Sequence, residues 1–432
     1  MSSTSFNDGL LQFLQQSPTP FHAVANLAQA LKEDGFKQLD ESDHWRLEKK
    51  RSYFVIRNGS ALIAFKTGQS DPVVNGFRVT GTHTDSPCLK IKPTPEIQKQ
   101  NYLQLGVEVY GGALLYPWFD RDLSIAGRVG FQTKKGELKS SLINFNEPIG
   151  FIPSLAIHLN RTANDGHKIN QQKELPPILM QIGARTKFSF DELLLKTLRK
   201  QASNRTAESV LSHELMLYDT QAPNLIGLNQ EFIASARLDN LLSCYLACHA
   251  LIESNNKNPS VVVCNDHEEV GSASTSGAQG PFLKSVLQRI VQQASKTPDV
   301  MERAIHNSDL LSIDNAHGVH PNYADQHDDK HSPQLNAGPV IKINANQRYA
   351  SNSESIALFK SVCNKCKIPY QSFVMRSDMA CGSTIGPITA AEIGIKTVDI
   401  GIASFGMHSI RELAGAKDAE NLAKVVTTFY NR

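Results

Sequence analysis

The sequence has no long apolar run and no recognisable export signal. No stretch approaches the eighteen or so uninterrupted apolar residues that indicate a transmembrane helix. The N-terminal residues MSSTSFNDGLLQFLQQS lack the basic segment and the long apolar core of a secretory signal peptide. We therefore expect a cytoplasmic protein without a membrane partner.

Cysteine and excess charge are also scarce. Seven cysteines in 432 residues, an odd number spread thinly, argue against a disulfide framework and fit a reducing compartment. Cys363 and Cys366 form one C-x-x-C pair, but no second pair follows, so we interpret them as ordinary residues. The formal net charge of +2 gives no reason to expect a nucleic acid as a partner.

The chain is longer than one hydrophobic core usually supports, which predicts more than one domain. Strand-like runs separated by helical patterns predict an α/β fold with the strands FRVTGTH, SVVVCND, LLSID, GPVIKIN, YQSFVM and TVDIGIA. Between residues 93 and 232 there are many glycines and prolines, and short alternating runs such as LQLGVEVY and AGRVGFQT appear. We therefore predict a β-rich domain at 93–232, inserted between two segments of an α/β domain at 1–92 and 233–432.

Local signals place three helix starts and one turn. Thr19 followed by Pro20 predicts a helix N-cap with proline in the first turn. The dipeptide Asn58–Gly59 predicts the turn of a hairpin formed by SYFVIRNGSALIAF. The segment from Ser351 to Glu354 predicts a capping box, and a further helix is expected to open at Asp239.

The segment NDHEEVGSAS places Glu268 and Glu269 side by side where the strand SVVVC ends. Two like charges that lie close together and partly out of water cost free energy unless a cation or a shared proton offsets them. Either both side chains lie in solvent, which is common at a loop, or a positive group lies beside them. Successive side chains of an extended chain point to opposite sides, so Glu269 facing a metal would put Glu268 on the substrate side.

Other acidic residues and histidines are expected at the same edge of the sheet. Ligands of an open α/β sheet bind beyond the carboxyl ends of its strands. Asp85 is well placed there to hold an imidazole in the tautomer that a metal needs. Taken singly, each of these residues has an ordinary explanation as a helix N-cap, a turn residue, a surface charge or a structural histidine. Together, two histidines and three carboxylates suit a dinuclear zinc site without cysteine: His83, Asp239, Glu269, Asp314 and His408.

Eight segments along the chain form a distinctive set: GTHTDSPCLKIKP, WFDRDLSIAGRV, RLDNLLSCY, NDHEEVGS, DNAHGVHPNY, GPVIKINANQRYASN, CGSTIGP and FGMHSIRE. Together they resemble the motifs of the M18 metallopeptidases, the aspartyl aminopeptidase family. The resemblance covers essentially the whole chain and implies an α/β fold. Its catalytic domain would be of the mixed-sheet zinc-aminopeptidase (phosphorylase/hydrolase-like) type, with helices on both faces and an inserted β-rich dimerisation or lid domain.

The resemblance implies roles for the residues at the sheet edge. The five metal-ligand candidates would hold two zinc ions, with Asp239 bridging them. Glu268 would be the general base, and Asp85 would orient His83. The activity implied is that of a dinuclear zinc aminopeptidase that removes N-terminal Asp or Glu from peptides with a free N-terminus. The sequence leaves open how strictly Asp is preferred over Glu, and whether one zinc ion exchanges for manganese or cobalt.

The resemblance also indicates residues for the substrate pocket. Lys342 would meet the carboxylate of the substrate and Tyr349 would line the same pocket, although Lys342 could instead be an exposed strand lysine. His158 is similar to a family histidine that reaches into the active site of a neighbouring subunit, and its alternative is a structural histidine. His317 and His320 are further candidates for shaping the pocket.

Members of the family assemble through the inserted domain, typically as a tetrahedral dodecamer built from dimers, and the resemblance implies the same here. Two other functions stay open. A related dinuclear zinc hydrolase, such as an N-acyl amino acid deacylase, would use the same ligands but would not require a free amino group. An inactive scaffold shell would have been favoured by a missing ligand or base, and every one of those positions is filled.

Overall fold

The computed structural model describes residues 5–183 and 187–432. The chain forms two compact units. The first unit contains the N-terminal segment up to Ser86, Pro223–Met407 and Glu412–Arg432, and the second contains Pro87–Ala222 and His408–Arg411. The inserted domain predicted at 93–232 therefore starts six residues later and ends ten residues later than the main segment of the second unit, Pro87–Ala222. The short segment that begins at His408 had no signal in the sequence that would group it with the second unit.

Secondary structure is distributed over both units. In the described ranges the α-helices, α1 to α11 in chain order, are Phe6–Gln16, Pro20–Glu33, Pro72–Asn75, Gln171–Glu174, Phe190–Lys200, Leu238–Glu253, Phe282–Ala294, Val300–His306, Ser353–Cys366, Ile385–Ile393 and Asp418–Tyr430. Over the same ranges the strands, β1 to β20, are Lys37–Gln38, Ser52–Arg57, Ala61–Lys66, Arg78–His83, Cys88–Lys99, Tyr102–Tyr110, Leu123–Thr133, Leu138–Asn144, Ile178–Gln181, Ala207–Asp219, Asn224–Ile226, Phe232–Ser235, Ser260–Asn265, Asp309–Ile313, Ala316–His317, Val340–Ile343, Gln371–Val374, Lys396–Gly401, Ala403–Phe405 and Glu412–Gly415. None of the helices described is both long and apolar enough to cross a bilayer.

The first unit is built on a nine-stranded mixed sheet with the order β1-β2-β3-β13-β4-β14-β18-β16-β17. All six strands predicted from the sequence belong to this sheet. Strands β13, β4, β14 and β18 are parallel neighbours, whereas β3 runs antiparallel to β13 and β16 antiparallel to β18. The carboxyl ends of the four parallel strands therefore lie at one edge, with Asn265 of β13 opposite His83 of β4.

Helices cover both faces of this sheet, as predicted. Alternate residues of β13 enter two different apolar clusters: Val262 and Cys264 pack with α1, α2, α6, α9 and α11, while Val261 and Val263 pack with α7 and α8. This alternation is the period-2 geometry of a strand that is buried on both sides. Each fully buried valine contributes roughly 1.5–3 kcal/mol relative to exposure, so the sheet is anchored from both faces.

Two of the predicted local signals are confirmed. Helix α2 begins at Pro20, and the hydroxyl oxygen of Thr19 accepts a hydrogen bond from the backbone N–H of His22. Strands β2 and β3 form a hairpin whose loop contains Asn58 and Gly59, with φ angles of 53° and 69°.

The predicted capping box at Ser351 is wrong by one residue. The N-cap of α9 is Asn352, whose side chain accepts from the N–H groups of Glu354 and Ser355, while the hydroxyl of Ser355 accepts from the N–H of Asn352. The hydroxyl of Ser351 instead accepts from the N–H of Asp399 in β18 at 2.9 Å. Ser351, which the sequence pattern predicts as the N-cap, therefore makes a tertiary hydrogen bond instead of capping α9.

The second unit is β-rich, as predicted. Its six-stranded sheet has the order β8-β7-β10-β5-β6-β9, and neighbouring strands are antiparallel. Helix α5 inserts Phe190, Leu194 and Leu198 into the apolar core of this unit. A smaller five-stranded sheet, β11-β12-β20-β19-β15, belongs to the first unit.

Candidate metal centre

His83 is the last residue of β4 and is only 1% exposed. Its Nδ1 atom lies 3.0 Å from the main-chain oxygen of Asp85, and its Nε2 atom lies 3.5 Å from Oδ1 of Asp239 and 3.4 Å from Oδ1 of Asp314. A proton on Nδ1, donated to the Asp85 carbonyl, leaves the Nε2 lone pair directed at the two carboxylates. This is the tautomer that a metal-binding imidazole needs.

The carboxylates around His83 favour a positive charge at this point. Burial lowers the pKa of His83, but hydrogen bonds with the carboxylates of Asp239, Asp314 and Asp85 outweigh it and raise that pKa well above 6.5. A proton is thus held where several negative charges converge. A metal ion bound there would meet the same electrostatic demand.

Asp239 is buried near the start of α6, but its carboxylate does not cap that helix. The N-cap residue is Arg237, which has no side-chain capping bond, and the backbone of Asp239 is non-helical, with φ −81° and ψ 105°. The Asp239 carboxylate faces His83 instead. The reading of Asp239 as an ordinary N-cap is therefore excluded.

Asp314 follows directly after β14 and is buried. Its Oδ2 atom accepts a hydrogen bond from Nζ of Lys342 at 3.2 Å. Burial works against the charged carboxylate, but Lys342 and His83 hold the pKa of Asp314 well below its usual value. Its Oδ1 atom is buried and faces Nε2 of His83 at 3.4 Å, so the carboxylate is directed at the imidazole.

Gly401, the last residue of β18, approaches the same strand end. A Cβ atom at this position would overlap the main-chain oxygen of Asp314. Only glycine therefore allows β18 to pass the point where Asp314 leaves its strand.

The two glutamates lie in a tight turn, so the expectation of an extended chain is wrong. His267 adopts a left-handed conformation with φ 63°, and Glu268–Val270 then form a single 3₁₀ turn. The N–H groups of Glu268 and Glu269 donate to the two carboxylate oxygens of Asp85 at 3.1 and 3.0 Å. The turn keeps both glutamate side chains near His83 rather than on opposite sides of the chain.

Glu268 is mostly withdrawn from water, which changes its acidity. Burial, followed by the charges of Asp314, Asp85 and Asp239, raises the pKa of Glu268 to about 7, against the opposing effect of His83. A carboxylate with a pKa near neutrality is suited to accept and return a proton at physiological pH.

The donor set in the first unit fits zinc. Two groups of possible ligands occur there: His83 with Glu268 and Glu269, and His83 with Asp239 and Asp314. Within each group, the possible ligand atoms all lie within 4.8 Å of one another. Imidazole and carboxylate oxygens are ligands that zinc accepts. Buried carboxylates that converge on one point cost several kcal/mol unless a cation offsets them.

His408 lies in the second unit. Its Nδ1 atom is 3.1 Å from the main-chain oxygen of Gly112, a contact that can fix the ring tautomer. Its role as a metal ligand stays a prediction. His158 also belongs to the second unit, where it is exposed in a turn.

Lys342 is 2% exposed, which excludes the reading of an exposed strand lysine. It donates to Asp314 and, at 3.0 Å, to the main-chain oxygen of Asn315. Tyr349 is buried beside it, with the Lys342 ammonium 5.2 Å from the centre of the ring. The predicted pocket residues Lys342 and Tyr349 are therefore neighbours, next to a candidate metal ligand.

His317 and His320 line a cavity of about 250 Å³ in the first unit. Burial, and then the charge of Lys342, lower the pKa of His317, so this imidazole is neutral at physiological pH. The remaining walls are largely apolar and include Phe373, Met375, Phe405 and Met407.

Sequence reasoning missed two residues that hold the main chain of Asp239. The hydroxyl of Ser86 donates to the Asp239 carbonyl at 2.6 Å, and the carboxylate of Glu412 accepts from the Asp239 N–H at 2.9 Å. Both stand in quoted motifs, GTHTDSPCLKIKP and FGMHSIRE. A hydrogen bond between residues more than 150 positions apart leaves no local pattern by which it could be found.

Comparison with known proteins is consistent with this geometry. The family described as aminopeptidase I zinc metalloprotease (M18) matches residues 13–430. A relative from Pseudomonas putida strain KT2440, named a probable M18 family aminopeptidase 2, is 56% identical over 99% of this chain and 98% of its own.

Two solved structures are similar over nearly the whole chain. A chain in the cryo-EM structure of the Ape4 and Nbr1 complex is 40% identical with a TM-score of 0.94, covering 98% of this chain and 85% of that one. A chain of the S. cerevisiae mApe1 dodecamer is 29% identical with a TM-score of 0.84, covering 98% and 95%. From the family match and these relatives, we conclude that the chain belongs to the M18 family of zinc metalloproteases and is an aminopeptidase.

Proposed function

We propose that this aminopeptidase is a dinuclear zinc enzyme that removes acidic residues from the N-termini of peptides. One observation carries the proposal: Nε2 of a buried His83 faces Asp239 and Asp314, while Glu268 and Glu269 converge on the same imidazole. A structural histidine would not need so many carboxylates within reach.

In this proposal the residues that would hold the two zinc ions are His83, Asp239, Glu269, Asp314 and His408. Zinc, when bound, supplies a Lewis acid that lowers the pKa of water and polarises the scissile carbonyl. Whether one ion exchanges for manganese or cobalt is a matter for metal analysis.

Glu268 is the proposed general base. It accepts a proton from the attacking water and returns this proton to the leaving amine, which needs a carboxylate whose pKa lies near neutrality. Asp85 supports this step because it holds the N–H groups of Glu268 and Glu269 and the Nδ1 side of His83. The free α-amino group of the peptide lies at the same centre, which restricts cleavage to the first peptide bond.

The proposed preference for acidic residues depends on Lys342. Its ammonium has three N–H donors, and among the described residues its hydrogen bonds go to Asp314 and Asn315. One donor is left for a carboxylate of the substrate. Tyr349 and His317 complete the proposed pocket, and His158 contributes from a neighbouring subunit.

We further propose that the chain forms a homo-oligomer, a dodecamer built from dimers, in the cytoplasm. The support is the similar chain that forms the mApe1 dodecamer. The inserted β-rich domain would provide the dimer contact.

The test combines metal analysis with a small set of substrates. We expect two zinc ions per subunit, and cleavage of Asp- and Glu-dipeptides with free N-termini in preference to Leu- and Lys-dipeptides. Cleavage of the N-acetylated dipeptides would instead identify a deacylase. Zinc binding without hydrolysis of any of these substrates would favour an inactive shell, and no zinc at all would refute the proposal.

A further inference from the structure

Glu412 is a buried carboxylate that takes no part in the proposed mechanism. It is 3% exposed, opens β20, and pairs in register with Ser235 of β12. Its Oε2 atom accepts a hydrogen bond from the N–H of Asp239 at 2.9 Å. This bond joins the small sheet of the first unit to the irregular start of α6.

The start of α6 needs such a partner. The first N–H groups of a helix have no acceptor within the helix, and the N-cap residue Arg237 supplies no side-chain bond. Asp239 is buried, so an unsatisfied N–H there would be costly. A carboxylate acceptor gives a charge-assisted bond and also interacts favourably with the positive end of the helix.

Other bonds hold the same short segment. Ser86 donates to the Asp239 carbonyl, and the side-chain amide of Asn240 donates to the main-chain oxygen of Ile313, directly before Asp314. The main chain of Asp239 is thus fixed at its N–H, at its carbonyl and through its neighbour. The direction of a side chain follows from its backbone, so these contacts set where the Asp239 carboxylate points.

We propose that Glu412 is a positioning residue for the metal centre, which aims the carboxylate of Asp239 at His83 and Asp314 by holding its N–H. The proposal rests on the proposed role of Asp239 as a zinc ligand. Partners that orient metal ligands typically affect metal affinity by about 10–100-fold when they are removed.

The experiment measures zinc affinity on folded protein by competition with a chromogenic chelator, with circular dichroism to confirm the fold. In Glu412→Ala the N–H loses its acceptor, and we expect the dissociation constant for zinc to rise by about 10–100-fold. Glu412→Asp, which draws the acceptor back by one methylene, should weaken zinc binding as well and serves if the alanine variant does not fold. Glu412→Gln keeps an oxygen that accepts from the N–H, so its affinity should stay within about threefold of wild type.

Asp418 provides the matched control. It is 0% exposed in the same unit, and its carboxylate also accepts main-chain N–H bonds, from Asn336 and Gly338. Asp418→Ala should lower thermal stability but leave zinc affinity unchanged. If Asp418→Ala loses as much zinc affinity as Glu412→Ala, the effect of Glu412 is a general loss of stability and not a positioning of Asp239.

The remaining outcomes separate the inference from the proposed function. The role of Glu412 is refuted if the alanine and aspartate variants bind zinc as wild type does, or if the glutamine variant loses as much affinity as they do. Asp239→Asn tests the premise independently, because it should weaken zinc binding whatever Glu412 does. If that variant binds zinc normally, the proposed ligand set fails together with the inference.

Discussion

At the scale of single residues, Asp85 contacts both parts of the centre in the first unit. Its two carboxylate oxygens receive the N–H groups of Glu268 and Glu269, and Oδ1 also lies 3.4 Å from Nδ1 of His83. One side chain therefore fixes an imidazole and the turn that carries two glutamates. The positions of His83 and Glu268 are coupled through it.

Glu268→Gln should separate proton transfer from metal binding. The amide keeps the size of the side chain but cannot take a proton, so turnover should fall by about 10²–10⁴-fold, the usual contribution of a general base. Zinc content per subunit should stay at the wild-type level in elemental analysis. Loss of zinc together with activity would mean that the roles of Glu268 and Glu269 are exchanged.

Lys342→Met should reduce discrimination between substrates. Methionine fills the volume but removes the charge that we propose for the acidic side chain of the substrate, so kcat/KM for an Asp-dipeptide should fall at least about tenfold more than for a Leu-dipeptide. The ratio is the informative measurement, because Lys342 also bonds Asp314 and its loss lowers activity on every substrate. An unchanged ratio would remove Lys342 from the specificity pocket.

At the scale of elements, the sequence was most informative where local pattern and tertiary structure agree. The runs ending at His83, at Asn265 and before Asp314 form parallel strands, so polar residues at their carboxyl ends had to meet at one edge. The sequence does not predict the turn at Glu268, because few residues other than glycine adopt the left-handed conformation and no local pattern marks His267 as one of them. The bond from Glu412 to Asp239 depends on a distant strand and has no sequence signature.

The start of α2 should make folding stability sensitive to acid. Burial, together with the charge of Arg237, lowers the pKa of His22 from 6.5 to about 4, and its Nδ1 atom lies 2.8 Å from the Thr19 hydroxyl. Between these pH values the unfolded chain binds a proton that the folded chain does not. The stabilisation is therefore complete above pH 6.5 and is lost as the pH falls toward 4.

His22→Asn removes this titration and keeps an acceptor near the Thr19 hydroxyl. Urea unfolding at pH 7.5 and pH 5 should show that wild type loses about 2 kcal/mol more than the variant over this interval. Comparing two proteins in identical buffers cancels the contributions of the other titrating groups. Equal losses would show that His22 is protonated in the folded chain.

At the scale of the whole molecule, composition and hydrophobic pattern predicted an α/β fold and a β-rich unit. Alternating strands and helices, and short alternating runs rich in glycine and proline, can both be recognised in a sequence. Composition and pattern could not show that His408–Arg411 groups with the second unit, since that depends on contacts rather than on composition. The number of subunits cannot be predicted from hydrophobic periodicity or charge either. It depends on the shape complementarity of surfaces, which has no local sequence pattern.

The proposed exchange of His158 between subunits can be tested by complementation. His158→Ala and Glu268→Gln should each be nearly inactive alone. Co-expressed in one particle, they should regain activity, because a site with an intact Glu268 can receive an intact His158 from its neighbour. The measurement is specific activity of the co-purified oligomer, with sedimentation to confirm a twelve-subunit particle.

Activity no higher than that of the separate variants would place His158 in its own subunit or outside the site. A particle of Glu268→Gln with wild-type chains serves as the control for assembly.

Gly401 illustrates how function can constrain a position that performs no chemistry. It neither binds a metal nor touches a substrate in the proposed mechanism, yet any side chain there would collide with the main chain of Asp314. In a survey of every possible substitution, Gly401 should rank among the least tolerant positions, together with the proposed metal ligands. A ranking of residues by intolerance alone would therefore count Gly401 as catalytic. Its contribution is instead that it has no side chain where the main chain of Asp314 passes.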